Sequence, residues 1–344
     1  MMWLTWRQFR AQAIAAAAAL AVVAVTLGLT GAGLISQYDQ AGFGTCHATC
    51  SSLAAKFLNT LKTGPDGVLF YGALFLMYLV PALIGIFWGA PLIARELETS
   101  THRLAWNQSV SRTRWTVMKL GLVGLAAVAT AGLLSLMISW WASPIDSAMN
   151  FGHPDSGSGF PRISPLLFGA RGIAPLGYAA FAFALGVTAG VVIRKTLPAM
   201  AVTLVVFAAI AFVMPNFVRP HLIPPVQATA PFNAYQNNEL MISSPGNRMT
   251  LVGNFDRPGA WILSNQTITP SGQLFTGPAG PACLGNGTQD ACISWINSLH
   301  LRQQVSYQPA SRFWPLQFIE TGIYLVLAAG LGWLCVWRVR SRRI

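Results

Sequence analysis

Gly89–Lys119 reads GAPLIARELETSTHRLAWNQSVSRTRWTVMK, a short polar stretch between two long apolar ones. Val68–Ala94 before it and Leu120–Ala142 after it contain no charged residue. Each run exceeds the ~20 residues that a helix needs to cross a bilayer. Between them Arg95, Glu96, Glu98, Arg103, Arg112, Arg114 and Lys119 concentrate charge to a degree matched only at the C-terminus. Lys and Arg are retained on the side from which a chain is inserted, so this two-span hairpin is expected to point its tip into the cytoplasm.

Composition extends the same reading to the whole chain. Of 344 residues 53% are hydrophobic and 9% charged, with a mean hydropathy of +0.51, whereas soluble domains carry about 25% charged residues. A net charge of +12 on a soluble domain would point to nucleic acid, but here the charge is distributed by side. Of the 22 Lys and Arg, those in short segments assigned to the cytoplasm are Arg7, Arg10, Arg95, Arg103, Arg112, Arg114, Lys119, Arg194, Lys195, Arg338, Arg340, Arg342 and Arg343. The excess is a topology signal, with attraction to anionic lipid heads as a by-product. No nucleic-acid partner is expected.

Spans are expected at residues 13–35, 68–94, 120–142, 173–193 and 197–214, with a sixth at Phe318–Trp337 inside the C-terminal region 316–344. The apolar run after residue 12 is too long for a cleaved signal peptide. Residues 1–12 (MMWLTWRQFRAQ) place Met2, Trp6 and Phe9 on one helical face, the pattern of an interfacial helix; an ordinary aromatic and basic anchor fits equally. Pro81 and Pro91 are expected to kink span two. Gly85/Gly89 and Gly186/Gly190 have GxxxG spacing, which serves packing within one chain or a seam between two. Trp140 and Trp141 suit an outer membrane interface. Residues 143–172 read as an irregular exterior loop, and Arg194–Lys195 as a very tight cytoplasmic turn. Residues 215–315 form the one large hydrophilic region, with strands expected at TLVGNF (Thr250–Phe255) and AWILSNQTIT (Ala260–Thr269) and a helix over Asp290–Leu301. The fold class is therefore an all-α polytopic membrane protein of six transmembrane helices, with a sizeable mixed extracytoplasmic domain between spans five and six. Both termini lie in the cytoplasm, and the location is the cell membrane.

Cys46 and Cys50, four apart outside the cytoplasm, suit a disulfide or, with His47, a metal; no second ligand pair stands at zinc-site spacing, so the disulfide leads and no metal site is assigned. Cys283 and Cys292 are expected to pair, and Cys335 to pack as an apolar side chain. Chemistry of the chain's own is hard to find. No lysine follows a glycine, so there is no phosphate loop of the GxxxxGK[ST] type and no cofactor is expected on this chain. HExxH and GxSxG are absent, and the chain reads as no enzyme by itself. Among the apolar spans only the last carries a carboxylate, Glu320, which suits an exterior gate, an inter-helix hydrogen bond or a water-exposed interfacial site.

A polytopic chain without an energy source implies work supplied from outside. Gly89-Ala90-Pro91-Leu92-Ile93-Ala94-Arg95-Glu96-Leu97-Glu98, then Thr101, Gln108-Ser109-Val110-Ser111-Arg112, Trp115 and Lys119, resembles the permease subunits of ABC-2 type ABC transporters, particularly the actinobacterial branch. WLTWRQFR near the start and Tyr307–Glu320 (YQPASRFWPLQFIE) resemble the same branch, while Ser100 stands where that family commonly has Gly. The resemblance implies a coupling helix that docks on a cytosolic ATPase subunit, which itself binds ATP and Mg. It assigns that role to Arg95, Glu96, Glu98, Thr101 and His102, with Arg112 and Lys119 holding the return to the membrane. It implies further a second permease copy, forming a homodimer by family habit, and export of a hydrophobic or amphipathic compound. The alternative reading is a membrane receptor or immunity-type protein that senses a ligand through residues 215–315.

Overall fold

The computed structural model describes residues 2–43, 50–99, 111–151, 160–232, 240–243, 248–253, 255, 257–283 and 288–341. Among the described residues, six helices are long and apolar enough to cross a membrane. They belong to α1 (Met2–Gln40), α3 (Pro65–Glu98), α4 (Arg112–Trp141), α7 (Ala174–Ile193), α8 (Thr196–Leu222) and α10 (Phe313–Ser341). Shorter helices, α2 (Cys50–Thr63), α5 (Ser143–Phe151) and α6 (Pro165–Phe168), lie in the connections at one end of the bundle. The opposite end carries Arg95, Arg112, Arg194, Lys195, Arg338 and Arg340 on the helix termini that meet there, and is called the basic end below.

The centre of the bundle is α7, packed against α3, α4, α8 and α10. Of its apolar stretch 67% is buried, against 6% for α1. Glycine makes this packing possible. A Cβ on Gly85 would stand 2.7 Å from the Ala182 carbonyl oxygen, one on Gly89 2.6 Å from that of Phe183, and one on Gly190 2.6 Å from that of Ala90. The two GxxxG pairs therefore face each other, bringing α3 and α7 to backbone contact within one chain.

Between Pro81 and Pro91 helix α3 widens into a π segment, Ile84–Gly89. Pro91 has no N–H for the carbonyl of Phe87, which an α-helix would pair with residue 91. That carbonyl accepts instead from the Gln12 side-chain amide of α1 at 3.2 Å. A second π segment, Met214–Val218, follows from Pro215 in α8 by the same loss of a donor.

Beyond α8 the chain forms a three-stranded antiparallel sheet in the order β1–β5–β4, from β1 (Val226–Pro231), β4 (Trp261–Ile268) and β5 (Arg302–Gln308). A hairpin pairs β2 (Leu240–Ser243) with β3 (Arg248–Leu251). Helix α9 (Gln289–Ser298) packs Ile293 and Ile296 against Met249 and Leu251, and Cys283 is bonded to Cys292 at 2.02 Å. Strand β5 is polar by sequence yet central. Gln303 and Gln308 are buried because their amides find carbonyl partners at Gly253 and Ile223.

Several boundaries differ from those the sequence suggests. Helix α1 runs unbroken through residue 12, since no Pro, Gly or capping residue interrupts it. Residues 143–172 do not form an irregular loop throughout: α5 and α6 bury Ile145, Ala148, Leu167 and Phe168, and Asp146 pairs there with Arg171. Trp141 does not sit at an interface but is buried, donating its indole N–H to Thr30 Oγ1 at 3.0 Å, whereas Trp140 is exposed. Cys335 is buried as a free thiol, and Cys50 is disulfide-bonded. Cys46, the other half of the expected pair, lies outside the described residues.

Candidate functional site

At the basic end α3 and α4 leave the bundle side by side. Glu96, in the last turn of α3, is ion-paired with Lys119 in the second turn of α4. The Lys119 side chain is 3% exposed, and its ammonium lies 4.6 Å from the centre of the Trp115 ring. Burial between the aliphatic ends of two helices makes an unpaired ammonium costly, so Glu96 fixes it in place. Two residues on, about half a turn round the helix, Glu98 reaches a different partner. Its Oε2 accepts from the backbone N–H of Thr196 at 3.1 Å and from the Thr196 hydroxyl at 2.8 Å. Thr196 is the first residue of α8, where N–H groups lack helical partners and the helix dipole favours an anion. The turn before it is tight because Arg194 adopts a left-handed conformation, φ 61°.

Of the coupling residues suggested by the sequence, Glu96, Glu98 and Lys119 are therefore joined to neighbouring spans. Arg95 is exposed on the last turn of α3, and Arg112 opens α4 behind Ser111, whose hydroxyl caps the helix by accepting from the Arg114 N–H at 3.3 Å. Thr101 and His102 lie outside the described residues.

The opposite end holds a second polar cluster. Glu320 of α10 is fully buried and ion-paired with Arg219 of α8 through two contacts, Nε to Oε2 at 2.7 Å and Nη2 to Oε1 at 2.9 Å. The Tyr178 hydroxyl of α7 donates to the same Oε1 at 2.5 Å. Bidentate pairing and a third donor satisfy the carboxylate without water, which corrects the expectation of a water-exposed interfacial site. Arg219 also donates to the Pro165 carbonyl at 3.3 Å and stacks 4.1 Å over the Phe168 ring. The Tyr78 hydroxyl of α3 donates to the Leu166 carbonyl at 2.8 Å. Gln317, one turn before Glu320, accepts from the N–H groups of Ile173 and Ala174 at 3.0 and 2.7 Å and donates to the carbonyls of Phe168 and Arg171 at 2.9 and 3.1 Å. Four spans and the segment 165–174 are thus knotted at one level.

Arg171 donates to Asp146 at 3.0 Å beside this cluster. Arg162 stacks 4.0 Å over Phe313, and burial pulls its guanidinium below its ordinary pKa, opposed by Asp146 and reinforced by Arg171. Little in the sequence marks Arg219 as a buried partner. Pro215 and Pro220 made its surroundings read as loop, although Arg219 follows the last apolar turn of α8 closely enough to remain helical. Asp146 and Arg171 likewise stood among Pro, Gly and Ser, where polarity suggests solvent.

No group of His, Cys, Asp and Glu suited to a metal occurs among the described residues. No curated protein and no solved structure matches the chain. One family does, described as ABC-2 membrane transporter related, over residues 17–219, which take in spans two to four, most of spans one and five, and both polar clusters save Glu320 and Gln317. With that match over more than half its length, and six helices able to cross a membrane, the chain belongs to the ABC-2 membrane transporter related family and is a multi-pass membrane protein.

Proposed function

We propose that this chain is the membrane-spanning permease of an ATP-driven exporter for a hydrophobic or amphipathic compound, working as two copies with two cytosolic ATPase subunits. The basic end faces the cytoplasm of the cell membrane, and residues 95–119 dock on the ATPase, which binds ATP and Mg. Family membership supports the permease and its ATPase partner. The observation that carries the docking assignment is the base of that segment, where Glu96 is tied to α4 and Glu98 to α8. Movement imposed on the segment is passed to spans two, three and five without slack. Both carboxylates are engaged inside the chain, so contact with the ATPase falls to Arg95, Thr101 and His102. Glu96, Glu98 and Lys119 position that surface.

Alternating access then consists of the ATPase pair closing and the two permeases tilting. The nucleotide must favour one state by about 5.5 kcal/mol to reverse a population from 1:99 to 99:1. Glu98→Ala is expected to lower export and partner-ATPase stimulation together, in protein that still reaches the membrane at normal abundance. Wild-type values for both would overturn the assignment.

A further inference from the structure

Helix α1 meets the rest of the bundle along one stripe. Ala13, Ala16, Leu20, Val23, Leu27, Thr30 and Leu34 alternate in spacings of three and four, the pattern by which one helix lies along another. From Leu27 onward the seam is shut: Leu27 and Leu34 are buried, and Thr30 holds Trp141. Before Val23 it stands open. Ala15 and Ala19 are exposed and Ala16 half-buried, because an alanine methyl does not cross the gap to Val80 and Ile84 of α3.

The gap is a half-open cavity of about 310 Å³ between α1, α3 and α4. Its basic end is closed by Phe9, edge-on to Trp88 at 4.8 Å, and by the Gln12 amide on the Phe87 carbonyl. The polar groups of the lining are those of Gln12 and Thr130 and the single indole N–H of Trp88. Gln12 is bonded as described, and the Thr130 hydroxyl donates to the Ala126 carbonyl at 2.8 Å. Water entering would find almost nothing to bond, and cavities of this kind stay dry and take apolar guests; one of ~150 Å³ admits benzene. The space here is about twice that. Another helix, about 10–12 Å across with its side chains, does not fit beneath an α1 fastened at both ends. A single hydrocarbon chain does, and the crevice opens sideways at membrane depth, where such chains are the solvent.

We propose that the crevice between α1 and α3 binds one acyl chain of a bilayer lipid, lying lengthwise under Ala15–Val23. The proposal needs only the membrane placement of the helices, so it stands or falls apart from the export reading. The test uses the full chain in vesicles of phosphatidylcholine and phosphatidylglycerol with a trace of phosphatidylcholine bearing a diazirine at its acyl terminus. After irradiation, mass spectrometry of peptides is expected to find adducts on Ala15–Val23 and Leu76–Ile84 several-fold above those at Val202 and Val205, exposed positions on α8. Ala16→Leu with Ala19→Leu should abolish the excess and leave labelling of α8 unchanged. Should that variant not fold, excess dodecane added to the wild type should suppress the crevice adducts alone. Labelling no stronger than on α8, adducts indifferent to both treatments, or cross-links between two copies through α1 in place of lipid adducts would each overturn the proposal.

Discussion

Glu320 and Arg219 come from helices a hundred residues apart in sequence and meet where neither is in contact with solvent. Removing one member of such a pair leaves a charge without water or partner, which costs about 3–5 kcal/mol, whereas replacing both by apolar residues is often neutral. Glu320→Ala is therefore expected to lower the melting temperature by several degrees, and Glu320→Leu with Arg219→Leu to recover most of the loss; thermal unfolding followed in detergent measures both. A double variant no more stable than the single one would show that the pair does more than neutralise its own burial. Glu98 works differently, since its exposed carboxylate joins the start of α8 to the end of α3; under the proposed docking role its removal should be felt in export more than in stability.

The pairing of α3 with α7 rests on the absence of side chains. At Gly186 a Cβ would stand 2.8 Å from the Ala90 nitrogen, against backbone that cannot swing aside, whereas at Gly322 or Gly121 it would meet nothing within 4 Å. Gly186→Val should force α7 away from α3, and overpacking of this kind costs about 1–3 kcal/mol or more; Gly121→Ala should be close to neutral. Yield of folded protein and melting temperature in the same detergent separate the two, and equal behaviour would sink the contact. The π segment beside this seam has its own consequence. Pro91 leaves the Phe87 carbonyl to Gln12, so the element that widens α3 also fastens the start of α1.

For the molecule as a whole, the two polar clusters divide the bundle into ends with separate work. At the basic end carboxylates link α3 to α4 and α8; at the other, α3, α7, α8 and α10 are knotted around Glu320. Helix α1, fastened at its two ends, is the least buried of the six spans, and it carries the crevice. Cysteine introduced at Lys195 is expected to react in intact cells only with a membrane-permeant thiol reagent, and cysteine at Gln227 or Thr229 also with an impermeant one; the reverse pattern would invert the orientation and remove the docking proposal. The six apolar crossings and the asymmetry of basic charge can be read directly along the chain, because bilayer thickness and insertion act on length and composition before any packing. Residues 89–119 also carry the family resemblance. Only packing in three dimensions shows that Gly85 and Gly89 serve Gly186 and Gly190 of the same chain, that Arg219 is the partner of Glu320, and that Glu98 holds the first residue of α8. These are choices among partners far apart along the chain, and what decides them is which backbones can touch and which buried charges can be satisfied. Polarity along the chain is silent on that, which is why Asp146 and Arg171 read as loop and lie inside.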